Sequence, residues 1–462
     1  MRGASRLTSM SVLACVFALM LAAYALTIFE RRPDPRPEGN IDSIRALASR
    51  TDLNVLLILI DTLRADHLGA YGYERDTSPG LDALADTGVR FARNRAQSSW
   101  TKASMASLWT GLYPVRTGVR RYQDGLSQAA HLPAEILREA GWLTGAIWRN
   151  DWVAPTFRFD QGFDVYQYPH ADPLAPHLRG QLRAGRIAGT DADLVSSATE
   201  FLRTHFDQRW FLYLHMMDVH QYVSPKDTAR FGWSHRDAYD NAVRWTDHQV
   251  LQLVDELEHL KLRDRTLIVI ASDHGEAFGE HGMEGHAKDL YTETTHTPVI
   301  LSLPFRLERG IVVDVPTQNV DLWPTLLDLL DLPGLRETDG ASRMPEILGD
   351  PDAPGAAVDY AELDRNWGKP ETEPVWQVAV RKGRYRIVYD EALAAAPAIF
   401  DLDTDPSELT PVDVSAALRA DLESQVLRYL ERPVAWEAGS VPRVAVDDTH
   451  LGLLRALGYG IE

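Results

Sequence analysis

Three nearly continuous apolar runs constrain the fold of this chain more than any other feature of its sequence. They cover residues 54–60, 210–214 and 266–271, and none of them contains a charged side chain. Short runs of this kind are typical of strands that are buried on both faces of a parallel sheet. Apolar residues at helical spacing precede the third run: Val250, Leu253, Val254, Leu257 and Leu260. This alternation predicts an α/β fold with a doubly wound, mostly parallel sheet flanked by helices.

Side chains that can ionise follow each of the three runs. Asp61 follows the first run, His215 the second, and Asp273 and His274 lie just beyond the third. Because ligands of a doubly wound sheet bind outside the carboxyl ends of its strands, we expect these side chains to face one site. Converging carboxylates would repel each other, and a divalent cation removes that repulsion. Each Asp alone fits a turn or a helix cap equally well, so the spacing by itself leaves the cation an open question.

The ligand types only partly identify such a cation. Oxygen ligands alone suit Ca²⁺ or Mg²⁺, whereas an imidazole ligand moves the preference towards Mn²⁺ or Zn²⁺. The identity of one divalent cation at this edge would therefore stay open among these four, with Mn²⁺ and Zn²⁺ favoured by the histidine.

The sequence changes character after about residue 350. Apolar and polar residues alternate over residues 376–380 and again over residues 385–389, and Lys382 and Gly383 offer a turn between them. This pattern predicts an antiparallel hairpin. We therefore expect a main domain over residues 53–350, and a smaller α+β subdomain with an antiparallel sheet, followed by a tail, over residues 351–462.

Charge and cysteine content exclude several classes of protein. The chain of 462 residues has 47 Lys and Arg against 66 Asp and Glu, a net charge of -19. A nucleic-acid-binding protein needs a basic surface, so we expect no nucleic-acid partner. The single cysteine, Cys15, rules out an intrachain disulfide and a zinc finger.

The N-terminal residues predict export from the cytoplasm. Residues 7–29 are uncharged and follow Arg2 and Arg6, and about 20 such residues can cross a bilayer as a helix. The A-x-A sequence at residues 23–25 fits a cleaved signal peptide, whereas the apolar residues that continue to Phe29 favour an uncleaved anchor. We expect residues 1–29 to be one of these two, with residues 30–52 as a spacer. Either alternative predicts a periplasmic or other extracytoplasmic protein, anchored in the inner membrane if the segment is kept.

Several segments resemble, in the same order, the motifs of the sulfatase family within the alkaline phosphatase superfamily. The segments are residues 54–72, 99–114, 272–282, 285–298, 321–327, 400–408 and 457–459. The resemblance implies that Asp61, Asp273 and His274 are metal ligands. A second Asp often follows the first in this family, and here that position is Thr62.

The resemblance places the nucleophile at Thr101, whose hydroxyl would also bind the metal. Sulfatases carry there a cysteine or serine that is oxidised to formylglycine, and a threonine cannot give that aldehyde. Phosphoethanolamine and phosphoglycerol transferases of the superfamily are similar to this chain in having a threonine nucleophile. We therefore expect a metal-dependent hydrolase or transferase that acts on an anionic ester, phosphoric rather than sulfuric. On the residues alone, Thr101 fits an ordinary helix N-cap.

The same resemblance implies further residues that contact the substrate. His220 and His286 would bind the anion or protonate the leaving oxygen. Arg149, Asn150 and Lys102 are the predicted substrate-binding residues. The substrate would be an anionic small-molecule, glycan or lipid ester, and the sequence does not separate hydrolysis from transfer.

Two alternative functions stay open from the sequence. One is an arylsulfatase-like hydrolase of sulfuric esters. The other is a catalytically silent binding or scaffold protein of the cell envelope, because the second Asp and the formylglycine motif are absent.

Overall fold

The structure is a computed structural model that describes residues 34–169 and 189–445, except for residues 354, 356, 367, 368, 370, 371, 394, 395 and 438. The chain divides into two units, residues 1–37 and residues 38–462, and every element named below belongs to the second unit. The predicted N-terminal segment, residues 1–29, lies outside the described residues. Among the helices that are described, none combines the length and the apolar character needed to span a bilayer.

The strands are β1 Glu38–Gly39, β2 Asn54–Ile60, β3 Val89–Arg95, β4 Leu143–Trp148, β5 Val165–Gln167, β6 Trp210–Met216, β7 Thr266–Ala271, β8 Ala277–Phe278, β9 Glu284–Gly285, β10 Val299–Ser302, β11 Arg306–Leu307, β12 Ile311–Gln318, β13 Val358–Asp364, β14 Trp376–Lys382, β15 Tyr385–Asp390 and β16 Ala398–Asp401. The α-helices are α1 Ile41–Arg45, α2 Pro79–Asp86, α3 Thr101–Thr110, α4 Pro114–Thr117, α5 Pro133–Glu139, α6 Asp191–Thr204, α7 His235–His259, α8 Thr292–Thr295, α9 Leu322–Leu329, α10 Met344–Ile347 and α11 Ala416–Leu430. Short 3-10 helices cover Ala46–Ser49, Ala65–His67, Gly69–Tyr71, Asp151–Val153, Pro155–Phe157, Arg263–Arg265 and Asn319–Asp321.

Eight strands form the central sheet, in the order β12-β3-β10-β7-β2-β6-β4-β5. All neighbouring pairs are parallel except those that β10 makes with β3 and β7. The three apolar runs are the adjacent strands β7, β2 and β6, so the prediction of a mostly parallel sheet is confirmed. Their carboxyl ends therefore meet at one edge of the sheet.

Helices cover both faces of this sheet. Along β2, Val55, Leu57 and Leu59 belong to one hydrophobic core, which also contains residues of α3, α5 and α9. The alternate residues Leu56, Ile58 and Ile60 belong to a second core with residues of α2, α6 and α7. Successive side chains of a strand point to opposite faces, so a strand between two cores has to be apolar throughout.

The C-terminal subdomain contains a separate antiparallel sheet in the order β13-β14-β15-β16. The predicted hairpin is confirmed, because β14 pairs with β15 from Gln377 opposite Asp390 to Lys382 opposite Tyr385. Gly383 in the turn has a φ of 61°, a conformation that favours glycine. Leu422, Val426 and Tyr429 of α11 lie in the core of this subdomain.

The predicted spacer over residues 30–52 is too long at its C-terminal end. β1 pairs with β11, and Asn40 caps α1 through a reciprocal pair of hydrogen bonds with Ser43. Ile44 and Leu47 are buried in the first core. These apolar side chains bind this segment to the catalytic domain, which composition alone did not indicate.

Candidate metal centre and nucleophile

The carboxyl edge of the central sheet brings together a buried group of ligand-type side chains. Asp61 follows β2, Asp273 lies just beyond β7, and His215 is the last but one residue of β6. Leu59 of β2 pairs with both His215 and Ala271. This register places the side chains of Asp61, His215 and Asp273 at the same level along the strands. One ligand atom from each lies within 4.8 Å of the others, and all three residues are buried.

Two carboxylate oxygens in this group have unused hydrogen-bonding capacity. Within the described part of the chain, Asp61 Oδ1 and Asp273 Oδ2 have no hydrogen-bond partner, although both residues are fully buried. His274 Nε2 lies 3.9 Å from the first oxygen and 3.3 Å from the second. A buried carboxylate oxygen that lacks a partner is costly, and a cation between these atoms would remove that cost. The residues therefore fit one divalent cation.

The tautomer of His274 leaves its Nε2 atom available to a cation. Its Nδ1 lies 2.9 Å from the carbonyl oxygen of Gly275, so Nδ1 carries the proton and donates it. The lone pair of Nε2 therefore faces the two carboxylates. A second hydrogen bond that fixes the ring in this way is typical of histidines that bind metals.

Thr101 lies beside the same group. It is the first residue of α3, and Trp100 occupies the N-cap position, so the hydroxyl is not used as a helix cap. Thr101 Oγ1 lies 3.1 Å from His274 Nε2 and 3.5 Å from Asn150 Nδ2. Backbone amides at a helix N-terminus favour a negative charge, which suits an ionised hydroxyl or a bound anion.

Asn150 joins the nucleophile to the carboxylates. Its Nδ2 donates to Asp61 Oδ2 at 2.6 Å, and its Oδ1 accepts from the backbone N–H of Trp152 at 2.9 Å. The amide is thereby held in one orientation, with its N–H groups towards Asp61 and Thr101. The structure brings this predicted substrate-binding residue into the site.

His220 and His286 flank the group on the side of His274. The His286 ring stacks on His274 with 4.7 Å between centroids and lies 4.9 Å from the His220 ring. Glu276 Oε2 lies 3.1 Å from His286 Nδ1. Burial opposes a charge on His286, but Glu276 outweighs it and raises the pKa. Burial lowers the pKa of His220 to about 4.

The two Asp residues titrate in opposite directions. Burial and the neighbouring charge of Asp61 raise the pKa of Asp273 above its usual range. Burial acts in the same direction on Asp61, but the imidazoles of His220, His215 and His274 outweigh it and lower the pKa. A like-charged pair of this kind ionises fully only when a cation compensates it.

Two predicted substrate-binding residues point elsewhere. Arg149 is fully buried and forms ion pairs with Asp191 and Asp218, at 2.5 and 2.7 Å. Lys102 donates from Nζ to the carbonyl oxygen of Tyr122 at 2.5 Å, and its ammonium group lies 3.7 Å from the ring centroid of Phe157. Burial lowers the pKa of Lys102 far below its usual value. Both side chains therefore have partners other than Thr101 and its neighbours.

Glu276 is a site residue that the sequence prediction missed, and His215 is one that it expected at the site without assigning it a role. His215 lies 3.0 Å from Asp61 Oδ2 through Nε2, and its Nδ1 lies 2.6 Å from the hydroxyl of Tyr213. These two contacts hold the ring with Nε2 towards the carboxylates. The position of His215 at the end of an apolar run was the signal that placed it at the predicted site.

Thr62 occupies the position of the missing second carboxylate. Its φ of 61° is in the left-handed region, which is uncommon for a β-branched residue. Its backbone N–H donates to Asp273 Oδ1 at 3.3 Å. Residues in such strained conformations cluster at functional sites, where surrounding contacts hold them.

The chain is similar in sequence to known proteins of one family. The sequence profile of the family described as Sulfatase matches residues 53–332. The choline-sulfatase of Rhizobium meliloti (strain 1021) is 24% identical over 77% of this chain and 81% of its own length. Arylsulfatase A of Bos taurus is 25% identical over 83% of this chain and 89% of its own length.

A solved structure is similar to this chain in fold. The phosphonate monoester hydrolase of Agrobacterium radiobacter superimposes with a TM-score of 0.66 and 21% identity, over 86% of this chain and 98% of that one. This chain belongs to the sulfatase family, and it is a hydrolase with the alkaline-phosphatase-like fold.

Proposed function

We propose that this protein hydrolyses phosphoric esters with a bound divalent cation and with Thr101 as a covalent nucleophile. The observation that carries the proposal is the position of Thr101 Oγ1, 3.1 Å from His274 Nε2 and 3.5 Å from Asn150 Nδ2. This hydroxyl lies at a helix N-terminus beside Asp61 and Asp273, each of which has one buried oxygen without a partner among the described residues.

The proposed reaction has two displacements at phosphorus. The ionised Thr101 Oγ attacks phosphorus, the bond from phosphorus to the ester oxygen breaks, and the alcohol leaves after it takes up a proton. Water then attacks the phosphothreonine, the bond from phosphorus to Oγ breaks, and the threonine hydroxyl regains its proton. Asp61, Asp273 and His274 would hold the cation, which when bound would supply positive charge to the negative charge that develops in both displacements. An acceptor alcohol in place of water would make the second step a transfer.

The neighbouring side chains support this sequence of steps. Asn150 is oriented by Trp152 and donates towards Thr101, so it suits a non-bridging oxygen of the substrate. We assign proton transfer to the leaving oxygen to His286 or His220, the two imidazoles that lie beside His274. Glu276 holds the orientation of the His286 ring through Nδ1.

The identity of residue 101 favours phosphoryl over sulfuryl chemistry. A sulfated formylglycine hydrate expels sulfate when its carbonyl re-forms, whereas a sulfated threonine has no such route. A phosphothreonine is open to in-line attack. Sulfuric ester hydrolysis is the second candidate, because the choline-sulfatase and arylsulfatase relatives are named for that reaction. The substrate would be an anionic small-molecule, glycan or lipid ester in either case.

The ligand set also favours particular cations. His274 Nε2 and His215 Nε2 both lie beside carboxylate oxygens. Because imidazole nitrogen suits Mn²⁺ and Zn²⁺ better than Ca²⁺ or Mg²⁺, we propose Mn²⁺ or Zn²⁺.

We further propose that the protein is exported and anchored to the membrane, on the basis of the uncharged residues 7–29.

The test compares Thr101→Ala with wild type on a bis-aryl phosphate and on the matching aryl sulfate. We expect Thr101→Ala to lose at least about 1000-fold in kcat, because nucleophile removal is among the largest single effects on catalysis. Ser107→Ala is the matched control, since Ser107 is a buried hydroxyl on the same helix whose Oγ has no partner in the described residues.

The chemical outcome is read from the Thr101 peptide after a brief incubation with each ester. We expect a phosphorus-labelled adduct on this peptide in wild type and none in Thr101→Ala. Unchanged phosphate-ester activity in Thr101→Ala would exclude the covalent route. Faster turnover of the aryl sulfate, with a sulfur-labelled adduct, would replace the phosphoryl proposal with the sulfuryl one.

A further inference from the structure

We propose that Arg149, Asp191 and Asp218 form a positioning cluster that holds Asn150 and His220 in the active site. The proposal rests on the proposed function, since Asn150 and His220 take their roles from it. In this cluster Arg149 has a positioning role, and not the substrate-binding role that the sequence suggested.

Both terminal nitrogens of the Arg149 guanidinium donate hydrogen bonds at the cluster. Its NH1 donates to Asp191 Oδ1 at 2.5 Å and to Asp218 Oδ1 at 2.7 Å. Its NH2 donates to the carbonyl oxygen of Gly189 at 2.7 Å and to Gln221 Oε1 at 3.3 Å. The planar fork of an arginine can satisfy several acceptors in fixed directions, which a lysine ammonium does less well. Arg149 therefore ties the end of β4 to the start of α6 and to the turn after β6.

The two carboxylates of the cluster also fix each other's backbone. Asp191 Oδ1 accepts from the N–H of Met217 at 2.8 Å, and Asp191 Oδ2 accepts from the N–H of Asp218 at 2.9 Å. In return, Asp218 Oδ2 accepts from the N–H of Asp191 at 3.1 Å and from Trp245 Nε1 at 3.1 Å. Every bond joins residues that are distant in sequence, so the cluster fixes tertiary geometry.

Each anchored segment leads directly into the active site. Arg149 precedes Asn150, whose Nδ2 contacts Asp61 and Thr101. The carbonyl oxygen of Asp218 accepts from the N–H of Val223 at 2.8 Å, which closes the turn that contains His220. A shift of either anchor would therefore move a residue of the proposed mechanism.

Stability alone does not explain this arrangement. One cation faces two carboxylates, and all three side chains are fully buried. Burial and the charge of Asp191 raise the pKa of Asp218 to about 7, which reflects the excess of negative charge. Buried ion pairs add little to stability compared with apolar packing, and their best supported value is in fixing geometry.

The test uses Asp191→Asn as the mild variant, with Arg149→Lys and Arg149→Met beside it. Both oxygens of Asp191 accept N–H groups, so the asparagine amide would face a donor and loosen the cluster. We expect all three variants to lower kcat by about 100-fold, because displacement of a catalytic group by about 1 Å has that effect. KM and the inhibition constant of inorganic phosphate should change much less than kcat, because Arg149 itself does not contact the substrate.

A substrate-binding role for Arg149 predicts the opposite pattern. Arg149→Met would then raise both KM and the phosphate inhibition constant, and Arg149→Lys would restore them; this result overturns the proposal. Glu200→Gln is the control, because Glu200 is exposed on the same helix as Asp191. It should leave kcat, KM and phosphate inhibition unchanged.

Amide hydrogen exchange provides a readout that does not depend on activity. We expect faster exchange over residues 150–153 and 218–223 in Asp191→Asn, and wild-type exchange in Glu200→Gln. Unchanged exchange in Asp191→Asn would reject the cluster. If exchange is faster but Thr101→Ala keeps its activity, the proposed function fails while the positioning cluster stands. Asp191→Asn retains the side-chain shape, so the test survives if Arg149→Met does not fold.

Discussion

Asp61 and Asp273 illustrate how a single pair of residues can make a fold depend on a ligand. Both are fully buried, and each has one oxygen without a partner in the described chain. Burial and mutual repulsion raise the pKa of Asp273, so without a compensating charge the pair opposes folding at neutral pH. A cation bound only by the folded state reverses that effect.

We therefore predict that a chelator lowers the melting temperature of the wild type. Saturation at 100 times the dissociation constant corresponds to about 2.7 kcal/mol of stabilisation, which the chelator would remove. The double variant Asp61→Asn and Asp273→Asn should bind no stoichiometric metal, and the chelator should not change its melting temperature. Asp207→Asn, at an exposed position, should respond like wild type. Thermal unfolding with and without chelator, together with metal analysis, checks this, and an equal response in the double variant would contradict the cation site.

At the scale of elements, His281 connects three pieces of backbone. It lies between β8 and β9, its Nδ1 is 2.6 Å from Glu293 Oε1 of α8, and its Nε2 is 2.9 Å from the carbonyl oxygen of Glu408 after β16. Its ring stacks on Tyr291 with 3.7 Å between centroids. Burial opposes a charge on His281, but the bonds to Glu293 and Glu408 outweigh it and raise the pKa to about 9.

This connection predicts a specific pH dependence of stability. The folded pKa of about 9 lies above the unfolded value of about 6.5, so the stabilisation by His281 is complete below pH 6.5 and is lost as the pH rises through 9. Urea unfolding from pH 6 to pH 9.5 should show a difference between wild type and His281→Gln that shrinks as the pH increases. His259→Gln, at an exposed histidine, should show no such trend. A difference that is constant with pH would reject the assignment.

The elements that the sequence predicted well are those whose pattern is local. The apolar runs identified β2, β6 and β7 because a strand between two cores has no polar face. The hairpin of β14 and β15 was predictable from alternation and a turn glycine. The antiparallel direction of β10 was not, since its four residues carry no information about their neighbours.

The site residues divide in the same way. Asp61, Asp273 and His274 follow strands, so their convergence was predictable from topology. The ion pairs of Arg149 were not predictable, because its partners Asp191 and Asp218 lie 42 and 69 residues away in sequence. His215 needed the register of β2 against β6 before its contact with Asp61 could be identified.

At the scale of the whole molecule, a buried ion pair links the C-terminal sheet to the catalytic domain. Arg386 of β15 pairs with Glu408 at 2.8 Å, and the exposed fractions of these side chains are 1% and 0%. Arg386 NH2 donates to the carbonyl oxygen of Leu290 at 2.6 Å, and Glu408 Oε2 accepts from the N–H of Thr292 at 2.6 Å. The pair therefore holds the segment that follows His286 against the C-terminal sheet.

Breaking this pair should destabilise the whole protein. We predict that Arg386→Met costs about 3–5 kcal/mol in the free energy of unfolding, because it leaves the Glu408 carboxylate buried without its cation. The double variant Arg386→Met and Glu408→Gln should recover much of that loss, since the uncompensated charge is gone. Breaking the exposed pair of Arg203 and Glu256 by Arg203→Met should cost less than about 1 kcal/mol. Urea unfolding of all four proteins measures these differences. If Arg386→Met costs no more than Arg203→Met, the two sheets are held together by apolar packing alone and the ion pair adds nothing to the link.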